Sequence, residues 1–145
     1  MSSGIVKTYR NAAKELHRTD RPVVIDIDGH REWWVNGKRH RTDGPAAIWD
    51  DGYQSWHKHG LRHRTDGPAI IFADGTKEWW IDGQRHRESE PAVIDVDGRQ
   101  EWWSHGLRHR TDGPAVMFAD GQREWWINGV KVDPLVHFLQ RKSNC

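Results

Sequence analysis

The chain has 145 residues, with 22 basic and 21 acidic side chains and a formal net charge of +1. That near balance lacks the strongly basic footprint of a nucleic-acid binder, and no apolar run approaches the ~20 residues needed to cross a bilayer. Val, Ile, Leu and Phe make up about 19 percent of the chain, a composition that leans toward disorder only when net charge is also large.

Ten Trp supply the missing apolar surface, because each ring can bury ~150 to 250 Å². The start, Met1-Ser2-Ser3-Gly4, lacks the basic and apolar regions of a signal peptide. A soluble, cytoplasmic protein is expected, in its own cell or in an infected host. The single cysteine, Cys145, is the last residue and can form no internal disulfide, so no role is assigned to it.

In chain order, Tyr9-Arg10-Asn11 resembles the end of a strand found later in the chain and suggests an incomplete hairpin within an N-terminal cap, residues 1–16. A strict 23-residue period then runs over residues 17–132. His-Arg recurs at His17-Arg18, His40-Arg41, His63-Arg64, His86-Arg87 and His109-Arg110. A fixed period of this length is the signature of a stacked array.

Pro22, Pro45, Pro68, Pro91 and Pro114 follow in phase, each opening a β-rich segment such as Pro68-Ala69-Ile70-Ile71-Phe72. Asp28-Gly29, Asp51-Gly52, Asp74-Gly75, Asp97-Gly98 and Asp120-Gly121 then predict type I′ hairpin turns. The returning strands carry two adjacent aromatic columns, Trp33, Trp56, Trp79, Trp102, Trp125 and Trp34, His57, Trp80, Trp103, Trp126. Each unit closes on a Gly pair such as Asn36-Gly37 or Asp82-Gly83, so one hairpin per unit is expected. Asp133-Pro134 opens a short C-terminal helix in residues 133–145, with Leu135, Phe138 and Leu139 on one face. The fold class is all-β, a stacked hairpin array with a helical cap.

Successive strand residues face opposite sides. The first column, Trp in every unit, is expected inside with Ile25, Ile48, Ile71, Ile94 and Met117. The second, which admits His57 and is flanked by Glu32, Glu78, Glu101 and Glu124, is expected on the more open face. Beside it runs a column that changes from unit to unit: Asp26, Trp49, Phe72, Asp95 and Phe118.

The run Trp34-Val35-Asn36-Gly37-Lys38-Arg39-His40, then Gly44 and Asp51-Gly52, resembles the MORN repeat, with its Trp-x-x-Gly-x-x-His core and paired strands. The likeness spans roughly residues 9 to 132. The chain is also similar to divergent MORN-variant units of bacterial and viral proteins that carry His-Arg-x-Asp-Gly-Pro-Ala. The resemblance implies an elongated hairpin ribbon serving as a scaffold, protein-binding or lipid-associated module. Glu-Trp-Trp in place of Tyr-Glu-Gly-Glu, and Arg after the His, count against the lipid role.

Two binding readings follow. A non-catalytic protein binder, an inhibitor or antagonist of the antitoxin-like or viral anti-host kind, would use Trp34, Trp49, His57, Phe72, Trp80, Glu88, Glu90, Trp103, Phe118 and Trp126. A binder of phosphate-bearing ligands (nucleic acid, nucleotide or anionic lipid) would use the row Arg39, Arg41, Arg62, Arg64, Arg85, Arg87, Arg108 and Arg110. The acidic residues Asp20, Asp43, Asp66 and Asp112 argue instead for an internal Arg-Asp ladder between adjacent turns. Histidines ~10 Å apart by two strand spacings cannot share a metal, and no cofactor or catalytic constellation is expected. A second copy pairing at an open edge is a further candidate partner.

Overall fold

The computed structural model of the chain describes residues 4–143. Met1 to Ser3, Asn144 and Cys145, which include the start expected to lack a signal peptide, lie outside them. The architecture is all-β with one C-terminal helix, Pro134–Ser143. Twelve short strands form one long antiparallel sheet, flanked by a row of two-stranded hairpins.

Each unit therefore holds two hairpins rather than the single one expected. In the second unit, Ala47–Ile48 pairs with Gln54–Ser55 in the long sheet, and His57–Lys58 pairs with Leu61–Arg62 beside it. The Gly pair that was expected to close the unit is the turn of this second hairpin.

The type I′ turns also sit elsewhere than expected. They fall at the closing pairs, where both residues have positive φ: Asn36 (48°) with Gly37 (72°), for example. At Asp74-Gly75 only the Gly is left-handed, with φ 95°. Phe72 N–H bonds the Thr76 carbonyl and Gly75 N–H bonds the Phe72 carbonyl, the pattern of a type I turn closed by a left-handed Gly. The reason lies in the aspartate, whose Oδ1 accepts the Thr76 N–H at 2.8 Å and so fixes the turn by its own side chain.

The fully buried core is likewise not the expected Trp–Ile pairing. Ala46, Ala69, Ala92 and Ala115 have no exposed surface, and the next residue in each unit, Ala47, Ile70, Val93 or Val116, is buried beside it. Each Ala is hydrogen-bonded on both sides: Ala69 N–H bonds the Glu78 carbonyl, and the Ala69 carbonyl accepts Trp56 N–H, both at 2.8 Å. Its side chain is fully enclosed, which leaves room only for a small one. Ile25, Ile48, Ile71, Ile94 and Met117 are only half-buried. In the first Trp column Trp33 and Trp102 are buried and the others half-buried. The second column is half-buried apart from His57, which is buried, so it is open at one more position than the first.

Both ends carry modified units. At the N-terminus Ile5–Thr8 adds to the sheet edge, His17 N–H bonds the Tyr9 carbonyl, and the Arg18 guanidinium lies 4.1 Å from the Tyr9 ring centre. Tyr9 thus takes the place of a first-column Trp in a partial unit. The Asn11 turn is longer than the Asn36 turn and is absorbed by Lys14 at φ 63°. At the other end Asp133 Oδ1 accepts Leu135 N–H, as an N-cap does. The helix docks through His137, which is buried and whose Nε2 donates to the Arg110 carbonyl at 2.8 Å. Leu135, Phe138 and Leu139, the expected sealing face, point outward and are exposed; the buried position of the helix falls between them. No helix among the described residues is long and apolar enough to cross a membrane.

Candidate functional site

The repeated His-Arg pair is built into the turns. His40 Nδ1 accepts the His59 N–H at 3.0 Å, and His17, His63, His86 and His109 accept the corresponding N–H in their units. Each His therefore pins the type I′ turn at the end of its unit. Burial, then the neighbouring His59 and Lys58, lower the pKa of His40. Among the described residues no group of three or more His, Cys, Asp and Glu is arranged to hold a metal ion.

The following Arg is a clamp. Arg64 stacks 4.0 Å from the Trp56 ring centre, bonds the Pro68 carbonyl at 3.2 Å and pairs with Asp66 at 2.7 Å. Arg41, Arg87 and Arg110 repeat the stack on Trp33, Trp79 and Trp102. Their acidic partners are Asp43, Glu90 and Asp112. The ion pairs close within one unit, not between adjacent turns. The Arg41 and Arg64 guanidiniums hold the Asp43 and Asp66 carboxyls below their usual range.

Arg39, Arg62, Arg85 and Arg108 face the opposite side, so the Arg-His-Arg triplets form two rows rather than one. On this side a second ladder alternates arginine with the second aromatic column. The Trp80 ring lies between Arg62 and Arg85 at 5.0 and 5.2 Å, and Trp103 lies between Arg85 and Arg108 at 5.2 Å each. Beneath each ring a glutamate binds both neighbours: Glu78 accepts Trp80 Nε1–H at 2.7 Å and the Arg85 guanidinium at 2.8 Å. Glu32 and Glu101 do the same with Trp34–Arg39 and Trp103–Arg108, and Glu124 with Trp126 and Lys131. Glu32, Glu78 and Glu101 are buried, a position a carboxylate tolerates only when paired.

The second unit breaks this ladder. Ser55 stands in the glutamate column and His57 in the Trp column. Ser55 is 1% exposed and His57 7%, and Ser55 Oγ and His57 Nδ1 have no hydrogen-bond partner. Burial, then the Arg39 and Arg62 charges, lower the His57 pKa to about 4. Arg62, across the hairpin from His57, is exposed and is the one member of the eight-arginine set without a carboxylate partner among the described residues.

The same unit carries the main aromatic surface. The Trp49 ring stacks on His30 at 4.0 Å and meets Tyr53 edge-on at 6.3 Å, and Tyr53 meets Phe72 edge-on at 5.8 Å. Trp49 is 46% exposed. A cavity of about 340 Å³ is lined by these three aromatics with Arg39, Ala47, Asp51 and Ala73. Two larger grooves, of about 730 and 550 Å³, open on the opposite face between successive His-Arg turns. Their linings include the Arg41–Asp43, Arg64–Asp66 and Arg110–Asp112 pairs.

The ten residues expected to bind are thus divided. Trp49 and Phe72 share the aromatic cavity, Trp34, Trp80, Trp103 and Trp126 form the ladder beside it, and His57 occupies the ladder's broken position and also lines the larger groove of the His-Arg face. Phe118 lies on the same side but meets Arg99, at 5.3 Å, rather than the cluster. Glu88 lines a groove of the His-Arg face, and Glu90 pairs with Arg87. Tyr53 and Ser55 were missed. Both were readable by column, Tyr53 against His30, Thr76, Arg99 and Gln122, and Ser55 against four glutamates. No family model matches the chain, and no curated protein matches its sequence.

Proposed function

We propose that the protein acts by binding another protein, non-catalytically, through the sheet face that carries Trp49, Tyr53 and Phe72. The observation that supports this reading is one contiguous aromatic cluster, open to solvent, at the unit where the repeat departs most from its pattern. Exposed aromatic anchors around a concavity are the usual centres of protein interfaces. Inhibition or antagonism of the partner, of the antitoxin-like or viral anti-host kind, is the role we assign to a rigid binder built on such a ribbon. The MORN-like reading of the repeat supports the same role. Seven of the eight arginines of the phosphate-binding reading already hold carboxylates, which favours the protein partner over phosphate.

Affinity capture from the native cell, comparing the natural chain with Trp49→Ala/Phe72→Ala, tests the reading. One specific protein, retained by the natural chain and lost from the folded double variant, is expected. Capture unchanged by the double variant, or recovery of nucleic acid alone, overturns it.

A further inference from the structure

The repeat itself specifies what its second unit lacks. In four units a glutamate carboxylate fills the space beneath the second-column ring and neutralises the cation that follows: Glu32 with Arg39, Glu78 with Arg85, Glu101 with Arg108, Glu124 with Lys131. In the second unit the cation, Arg62, is kept, whereas the carboxylate is replaced by a hydroxyl and the indole by an imidazole. Neither replacement completes the local hydrogen bonding, since Ser55 Oγ and His57 Nδ1 are both buried and unpartnered. Buried polar atoms of this kind are costly unless a partner reaches them.

Ser55 lies directly cross-strand from Ala47 and Ile70. Ala47 lines the aromatic cavity, so the glutamate-column position of this unit adjoins the Trp49–Tyr53–Phe72 surface. Asp51, the one carboxylate in that lining, accepts the Tyr53 N–H and serves its own turn. Arg39, the cation of the lining, is already paired with Glu32.

We propose that the second unit takes an acidic side chain, Asp or Glu, from a protein partner, whose carboxylate pairs with the exposed Arg62 guanidinium in place of the missing glutamate, while its flanking apolar residues lie against Trp49, Tyr53 and Phe72. This rests on the protein-binding reading and adds its chemistry: the partner presents an acidic residue within an apolar segment. Charge complementarity sets the choice, because Arg62 is exposed and is the one arginine of the two rows without a carboxylate among the described residues. The planar Arg fork recognises a carboxylate with geometric selectivity.

The test uses two capped peptides, acetyl-Leu-Glu-Leu-amide and acetyl-Leu-Gln-Leu-amide, titrated at millimolar concentration while the His57 ring and Trp49 indole resonances are followed by NMR. The glutamate peptide is expected to shift both sets and to bind at least about tenfold more tightly than the glutamine peptide. Arg62→Gln, an exposed change, is expected to remove that preference. Ser55→Glu/His57→Trp restores the regular unit, supplies the carboxylate internally, and is expected to abolish the response. Equal shifts from both peptides, or no glutamate-dependent shift, overturn the carboxylate assignment while the aromatic docking face keeps its own capture test. A glutamate response that survives in folded Arg62→Gln, or that inorganic phosphate reproduces, also overturns it.

Discussion

Replacing Arg64 by lysine separates a structural His-Arg period from a ligand-binding one. Lysine keeps the positive charge but loses the planar fork that lies on the Trp56 ring and reaches the Pro68 carbonyl at 3.2 Å. The Arg64 side chain is 23% exposed, so the lost part of the ring stack is worth about 0.5 to 1 kcal/mol. The lost hydrogen bond adds about 1 kcal/mol. The ion pair contributes little, because Asp66 is 82% exposed. Arg64→Lys should therefore destabilise by about 1 to 2 kcal/mol, read as a lower urea midpoint by tryptophan fluorescence and a thermal midpoint lower by about 2 to 8 °C. Arg62→Lys is the internal control, expected within about 0.5 kcal/mol of the natural chain, since Arg62 is exposed and lies farther from its ring, 5.0 Å from the Trp80 centre. An Arg64→Lys variant as stable as the natural chain, or a pair with the reverse order, would refute the clamp.

Three further outcomes follow from the geometry. Glu78→Gln leaves shape intact but removes the charge that holds Arg85; Arg85 is 35% exposed, so the loss should fall near the lower end of a buried pair, about 2 to 3 kcal/mol, by urea titration. Gly83→Ala places a Cβ at φ 80°, 3.2 Å from Leu61 Cδ2, and should cost about 1 to 2 kcal/mol in the same assay, because the left-handed backbone is strained even if Leu61 swings away; an unchanged midpoint would contradict it. His57 titrates at about 4 in the folded chain against ~6.5 unfolded. Below pH ~6.5 the unfolded state binds the proton first, so stability present at neutral pH falls by about 3 kcal/mol as pH drops from ~6.5 toward 4. His40, also shifted downward, adds in the same direction, so the comparison with His57→Gln isolates the His57 share; identical acid profiles for the two chains would count against burial of a neutral imidazole.

The period, the hairpin array and the helical cap were legible in the sequence because turn chemistry and strand propensity are local. Their assignment within the unit was not. Asp-Gly and Asn-Gly both signal a hairpin, and only the side-chain cap made by Asp74 separates the two turn types. The core was misread because Ala69 carries a weak hydrophobic signal, although its full enclosure makes its small size the requirement. The two faces were assigned from Trp and Glu content, but Glu78 is buried beneath Trp80 by bonds that join different strands, and pairing of this kind has no local signature. At the site, Trp49, His57 and Phe72 stood out as breaks in a column, whereas Tyr53 and Ser55 acquire meaning only when the columns are seen to share one face.

The central claim is that binding is confined to the face bearing the second unit's aromatic cluster. A photo-crosslinking residue placed at Phe72, and separately at Glu88 on the opposite face, tests it in the native cell. One discrete protein adduct is expected from position 72 and none from position 88. Adducts from position 88 alone would contradict it.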